Sequence, residues 1–142
     1  MRHFKKILLT SLLTTAILTP TAQADTAVIV HPDNPSASLD ASVISRMYLG
    51  KTKKFPGGST VIPIDQSDSA DIRSGFFSSV MGKSASQVKS YWSKRIFTGK
   101  GTPPKQVGSS AEVKELISSN PSTIGYIDAS EVDGSVKVVY SY

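Results

Sequence analysis

Short runs of β-branched and other apolar residues predict the strands of this chain. The runs cover residues 27–30, 61–64, 123–127 and 136–140. The first run ends in a segment with two prolines, which continues neither a strand nor a helix. An acidic turn separates the last two runs. The pattern therefore predicts four strands, two near the beginning of the folded part of the chain and two at its end.

Apolar residues at helical spacing predict four helices. Ser38, Ser84 and Ser109 are candidate N-caps, and Gly50 and Gly82 are expected to stop the first two helices. The apolar positions of the helices are, in chain order, Leu39, Val43 and Met47; Ile72, Phe76 and Val80; Val88, Tyr91, Trp92 and Ile96; and Val113, Leu116 and Ile117. The resulting order β-α-β-α-α-α-β-β favours an α/β fold in which helices cover a sheet.

The N-terminal residues have the pattern of a cleaved signal peptide. A basic start and an apolar run over residues 7–18 precede Ala22-Gln23-Ala24, which has the small-x-small form of a signal-peptidase site. We predict cleavage after Ala24 and one domain over residues 25–142, without stable membrane insertion after cleavage. An uncleaved anchor is the alternative, but the apolar run is short for a membrane span. The expected location is the periplasm.

Composition restricts the chemistry that this chain can perform. It has no cysteine, and its second histidine, His31, is the only one outside the predicted signal peptide. These counts exclude disulfides and a thiol nucleophile, and they leave too little histidine for a zinc site or a histidine-based triad. We expect no catalytic residue, no metal and no cofactor. Removing the predicted signal lowers Lys plus Arg from 16 to 13 against 11 acidic residues, so the net charge falls from +5 to about +2.

The most informative stretch is residues 61–77, which predicts a strand, a turn and a helix. The first turn of a helix presents unpaired N–H groups and the positive end of the helix dipole, and so favours an anion. Two other interpretations of its polar residues compete with an anion site. Ser67, Asp68 and Asp71 have the character of helix caps. Asp65, Asp68 and Asp71 recur every third residue, as in a site for a hard metal ion, but they lack the dense oxygen pattern of a calcium loop.

Four segments together resemble the phosphate-binding type of periplasmic solute-binding protein from ABC transporters. These are Asn34-Pro35 with Met47-Tyr48-Leu49-Gly50-Lys51, Ser67-Asp68 ahead of Phe76, Tyr91-Trp92 with Phe97-Thr98-Gly99, and Thr123-Ile124-Gly125-Tyr126. The resemblance runs through most of residues 25–142. It implies a type 2 periplasmic-binding fold with a central sheet of four or five strands flanked by helices. All four segments fall within one of the family's two lobes.

The resemblance implies a ligand and the residues that bind it. The ligand would be phosphate or a similar oxyanion, taken up in connection with an ABC transporter, and its binding residues would be Ser67, Asp68, Ser69 and Arg73. A single lobe cannot enclose a ligand, so tight binding would need a homodimer or a periplasmic protein partner. The alternative function is a non-catalytic interaction module that has lost ligand binding and serves an envelope assembly. Three lysines around Phe55 are too weak a signal for a nucleic-acid partner.

The anion loop departs from the family pattern. Ser69, Ala70, Asp71 and Ile72 replace the glycine-rich residues that let backbone approach an anion. Asp71 places negative charge near the same helix end, which opposes anion binding. Arg73 could compensate, because a guanidinium binds phosphate with two hydrogen bonds. The competing interpretation of Arg73 is a surface ion pair with Asp71.

Overall fold

A computed structural model describes residues 16–18 and 24–142 of the chain. Most of the predicted signal peptide, including its basic start, therefore lies outside the described residues. Within the described part, no helix has the length and apolar composition that a membrane crossing requires. The folded part begins with the first strand at Thr26.

Between residues 24 and 142, five strands form one mixed sheet in the order β3-β2-β4-β1-β5. The strands are β1 (Thr26–Val30), β2 (Ile62–Gln66), β3 (Lys105–Val107), β4 (Thr123–Asp128) and β5 (Lys137–Ser141). β2 runs parallel to both β3 and β4, whereas β1 is antiparallel to β4 and β5. The parallel arrangement places the ends of β2, β3 and β4 at one edge of the sheet, where the chain turns into the helix after β2.

In the part of the chain that the structure describes, four α-helices flank the sheet: α1 (Ala41–Tyr48), α2 (Asp71–Phe76), α3 (Ala85–Phe97) and α4 (Ser110–Ser119). A π-helical turn, Phe77–Met81, continues α2, and Gly82 ends it with a φ of 62°. The predicted N-cap of α3, Ser84, is confirmed, and it forms a capping box with Gln87, since each side chain bonds the other's backbone amide. Ser109 caps α4 through the amide of Glu112, also as predicted.

Both faces of the sheet are covered, as the α/β prediction requires. β1 is buried along its whole length: Val28 and Val30 face the core under α1, α2 and α3, and Ala27 and Ile29 face the core under α4. Gly125 in β4 lets α4 approach closely, since a Cβ there would lie 2.5 Å from Val113 Cγ1. The predicted α/β class, with four or five strands flanked by helices, is confirmed.

Three sequence-based details are wrong. β3 lies between α3 and α4, where the sequence predicts no strand; its three residues are mostly exposed and carry no apolar period. Helix α1 has Asp40 as its N-cap instead of Ser38. Helix α2 has Ala70 as its N-cap, with no side-chain bond, so Ser67, Asp68 and Asp71 do not cap it.

Candidate functional site

The end of β2 places a carboxylate inside the protein. Asp65 is 4% exposed, because β2 is covered by β3 and β4 on either side and by helices on its faces. Its Oδ1 accepts hydrogen bonds from the Tyr126 hydroxyl and from the amide of Gln66, the latter at 2.8 Å. Its Oδ2 accepts from Arg73 Nε at 3.1 Å. Asp65 is thus a satisfied buried carboxylate that joins β2, β4 and α2.

Arg73 is held by two carboxylates and an aromatic ring. Its Nε contacts Asp65, and its Nη1 lies 3.0 Å from Oδ1 of Asp68. The guanidinium carbon lies 4.4 Å from the ring centroid of Phe77, within cation–π distance. The Arg73 side chain is 16% exposed, whereas Asp68 is 82% exposed. The surface ion pair of Arg73 with Asp71 that the sequence allowed is therefore wrong: the partners come from the end of β2 and from the turn after it.

Aromatic side chains form the wall behind this ion pair. The Phe76 ring stacks on Tyr126 with centroids 3.9 Å apart, and Tyr48 meets Phe76 edge-on at 4.7 Å. The Tyr48 hydroxyl donates to the carbonyl of Ile64 at 2.8 Å. Burial raises the pKa of both Tyr48 and Tyr126, and the negative charge of Asp65 raises the pKa of Tyr126 further. Tyr126 is therefore a neutral donor to Asp65 over the physiological pH range.

A groove of about 550 Å³ opens in front of Arg73. Asp65, Asp68 and Arg73 lie at one end, and α3 provides the opposite wall. The groove is also lined by Val88, Lys89, Trp92, Ile96, Pro103, Pro104 and Gln106. Gln106 Nε2 donates to Asp68 Oδ1 at 3.0 Å, so the edge strand β3 also contributes to this cluster.

The four residues predicted to bind an oxyanion fall into two pairs. Asp68 and Arg73 come together at the end of the groove. Ser67 and Ser69 form their own contact, Oγ to Oγ at 3.1 Å, and they do not line the groove. In the described part of the chain, the amides of Asp68, Ser69, Asp71 and Ile72 donate no hydrogen bond to protein, as expected for a helix start.

The three aspartates of this stretch do not converge. Asp65 and Asp68 both contact Arg73, and Asp71 lies exposed in the first turn of α2. Over residues 16–18 and 24–142, no group of three or more His, Cys, Asp or Glu side chains is placed to hold a metal ion. What the arrangement offers chemically is one oriented guanidinium beside an exposed carboxylate and open backbone amides.

Sequence reasoning misses two members of the cluster. The sequence assigns Tyr126 only to a return strand, and the parallel pairing of β2 with β4 brings its hydroxyl to Asp65. Gln106 lies in β3, the strand that the sequence does not predict. The only sequence signal for Tyr126 is a polar aromatic within an otherwise apolar strand, which a buried partner often accompanies.

Comparison with solved structures identifies the fold. A protein from Clostridium perfringens, described as a phosphate ABC transporter substrate-binding protein and crystallised with bound phosphate, superposes with a TM-score of 0.67 at 25% identity, covering 82% of this chain and 44% of its own. An ABC-type phosphate transport receptor from Vibrio cholerae superposes with a TM-score of 0.63 at 21% identity. This match covers 82% of this chain and 45% of the receptor. PstS from Borrelia burgdorferi superposes with a TM-score of 0.63 at 15% identity, and the match covers 82% of this chain and 46% of PstS.

No family model matches the chain, and no curated protein matches it. The chain spans less than half the length of the solved structures described above. The predicted resemblance to phosphate-binding proteins of ABC transporters is confirmed at the level of structure, and so is the prediction that it concerns one lobe. The described part of this chain therefore has the fold of a lobe of a phosphate ABC transporter substrate-binding protein.

Proposed function

We propose that this protein is a periplasmic solute-binding protein that binds phosphate or a similar oxyanion weakly at the Arg73 end of the groove. The observation that carries the proposal is the placement of a largely buried, oriented guanidinium at the strand-to-helix junction of a phosphate-binding type of fold. Backbone amides that donate no hydrogen bond to protein lie in the same turn and in the first residues of α2. The hydroxyls of Ser67 and Ser69 belong to the proposed site as additional donors.

Asp65 and Asp68 have different roles in this proposal. Asp65 is buried and bonded on both oxygens, so it stays in place and orients Arg73 through Nε. Asp68 is 82% exposed, so its contact with Nη1 is worth little and exchanges readily. An anion oxygen would take the position at Nη1 that the Asp68 carboxylate now occupies.

The exposed carboxylate also favours one kind of oxyanion. A carboxylate next to a bound anion repels it, unless the anion carries a proton that the carboxylate accepts in a hydrogen bond. Phosphate near neutral pH carries such a proton and sulfate does not. We therefore propose that the site prefers phosphate to sulfate.

The proposed affinity is low because the groove is open. The chain spans less than half the length of its structural relatives, and its groove lies open on the surface of the described lobe. Ligand sites that bind tightly bury most of the ligand surface. Stronger binding would need a second lobe, a homodimer or another periplasmic protein against this face. The signal peptide and its cleavage after Ala24 belong to the same proposal.

Calorimetry tests the proposed function. The chain from Asp25 onward is titrated with phosphate, with Arg73→Gln as the test variant and Lys94→Gln, an exposed lysine on α3, as the matched control. We expect millimolar binding that Arg73→Gln weakens about tenfold, because one charge-assisted hydrogen bond is lost, and that Lys94→Gln leaves unchanged. Absence of heat with phosphate, sulfate and molybdate at millimolar concentration would refute the proposal.

A second candidate function is the interaction module. Its support is the end of α3, where Ile96 is 53% exposed and Phe97 is 92% exposed. Ile96 also lines the groove, so a protein partner could cover both. In that case the pairing of Arg73 with Asp65 and Asp68 would be structural. Envelope proteins retained by the wild-type chain but not by Phe97→Ser, together with silent anion titrations, would favour this function.

A further inference from the structure

A second cavity, of about 410 Å³, lies next to the Arg73 groove, and Trp92 lines both. It is bounded by the end of α1, the residues leading into β2, and the loop from Lys100 to Lys105. Tyr48, Trp92 and the Pro103-Pro104 pair line both cavities, so the two cavities are neighbours. The proposed function makes no use of this second cavity.

Every charged residue that lines the second cavity is basic. These residues are Lys53, Arg95, Lys100 and Lys105. None of them forms an ion pair in the described part of the chain. The Arg73 groove differs, since two carboxylates already contact its guanidinium. Among the described residues, the second cavity is therefore lined by four positive charges and by no carboxylate. Such a concentration of positive charge attracts anions.

Arg95 has donors that the protein does not satisfy. Its Nη2 donates to the carbonyl of Lys100 at 3.2 Å, which is the single hydrogen bond of the Arg95 side chain within the described residues. Its Nε is buried and has no partner there. The guanidinium carbon lies 5.4 Å from the Tyr91 ring centroid and 5.8 Å from that of Trp92, so aromatic rings hold the group in place. Its Nη1 also donates no hydrogen bond within the described residues and is not buried, so an anion beside this guanidinium would accept from donors that the protein leaves open.

The remaining walls indicate what the anionic group is attached to. Met47, Val61, Ile62, Trp92 and the prolines at 63, 103 and 104 give the cavity a mainly apolar lining. Inorganic phosphate has no surface to bury against them. A small organic molecule with one dianionic group would use both the basic residues and the apolar walls.

We infer that this cavity is a second ligand site, which binds a soluble phosphomonoester with its phosphate at Arg95 and Lys100 and its organic body against the apolar walls. Arg95 is the principal anchor, because its planar guanidinium can donate two parallel hydrogen bonds to phosphate. Lys53, Lys100 and Lys105 supply the surrounding charge. The site is independent of Arg73, so it stands whether or not the proposed oxyanion site is correct.

Titration with phenyl phosphate tests the inference. We expect saturable binding by calorimetry, accompanied by a change in fluorescence of Trp92, the single tryptophan of the chain. Arg95→Gln should weaken binding about tenfold, and Lys100→Gln less. Lys94→Gln, one residue earlier on the same helix, should bind like wild type. Inorganic phosphate should bind more weakly than phenyl phosphate at this site.

Three results would overturn the inference. The first is no binding of phenyl phosphate by the wild-type chain. The second is an Arg95→Gln variant that is folded, by its circular dichroism, and binds phenyl phosphate within twofold of wild type. The third concerns the source of the phosphate group: Arg95-dependent sedimentation with vesicles containing phosphatidic acid, without binding of phenyl phosphate, would assign the site to a lipid headgroup.

Discussion

Replacing Asp68 by asparagine tests how the two carboxylates share Arg73. The substitution removes the charge that lies 3.0 Å from Arg73 Nη1, and it keeps an oxygen that can still accept from Gln106. Asp65, Tyr126 and the Phe77 ring continue to hold the guanidinium. The fold is therefore expected to change little, and the effect should appear in anion binding.

The magnitude follows from the exposure of Asp68. Two unit charges about 4 Å apart interact by about 1 kcal/mol in bulk water and more strongly near a protein surface. A dianion doubles the repulsion, but an exposed side chain can rotate away from the incoming anion. We take about 1 kcal/mol as the net cost of the carboxylate to a dianion, which corresponds to about a fivefold change in affinity. Asp68→Asn should therefore bind sulfate about fivefold more tightly than wild type.

Phosphate should gain less than sulfate in the same variant. The Asp68 carboxylate can accept a hydrogen bond from protonated phosphate, which offsets part of the repulsion, and the neutral amide that replaces it cannot accept this bond as strongly. The assay is calorimetric titration of both anions at low ionic strength, where surface charges act most strongly. The ratio of phosphate to sulfate affinity should fall in the variant.

Two further variants serve as comparisons. Asp133→Asn changes the net charge equally, but Asp133 pairs with Lys114, so this control should leave anion binding unchanged. Asp71→Asn should raise affinity less than Asp68→Asn, because the ion pairs of Arg73 are with Asp65 and Asp68 and not with Asp71. If Asp68→Asn leaves sulfate binding unaltered, or if Asp71→Asn has the larger effect, the site is not centred on Arg73.

The remaining predictions concern stability. Gly125→Ala should lower the free energy of unfolding by about 1–3 kcal/mol, measured in urea, because its Cβ would lie 2.5 Å from Val113 Cγ1. Tyr126→Phe should lower it by about 1–3 kcal/mol, since a buried carboxylate loses a hydrogen-bond donor. The pKa values of Tyr48 and Tyr126 are raised above 10.0 in the folded protein. The unfolded chain therefore loses these protons first, so stability is retained below pH 10 and falls as the pH rises above it.

Each stability prediction has a contrasting measurement. Gly134→Ala is the control for Gly125→Ala, since no heavy atom lies within 4 Å of the added Cβ, and equal losses in both variants would contradict the close packing of α4 on β4. An unchanged urea midpoint for Tyr126→Phe would show that Asp65 does not depend on this donor. Tyrosinate absorbance that saturates while the circular dichroism stays native would contradict burial of Tyr48 and Tyr126.

Local signals along the sequence are sufficient for most of the fold. The strands β1, β4 and β5 follow from β-branched runs, and α3 and α4 follow from serine caps that form the predicted bonds. Strand β3 escapes prediction because three mostly exposed residues at a sheet edge carry no periodicity. Its pairing with β2 is a tertiary contact, and no local rule predicts such a contact.

The candidate site is predictable in its location but not in its bonding. The junction after β2 and the residues Asp68 and Arg73 can be selected from the sequence. Their bonding depends on residues far apart in the chain. Asp65 accepts a hydrogen bond from Tyr126, 61 residues later, and Asp68 accepts one from Gln106, 38 residues later. The sequence offers Arg73 only Asp71 as a close acidic neighbour on the same helix. Residues two positions apart do not face each other on a helix, so Asp71 does not pair with Arg73. Asp65 and Asp68 precede the helix in the chain and both contact the guanidinium.

The central claim is that an oxyanion binds at Arg73, and amide-resolved NMR during a phosphate titration tests it most directly. We predict chemical-shift changes that saturate together at the Arg73 side-chain Nε–H and at the amides of Ser69, Asp71 and Ile72. The amide signal of Lys94 on α3 should stay in place. A titration that leaves these signals in place up to high millimolar phosphate, or that moves only signals around Arg95, would contradict it.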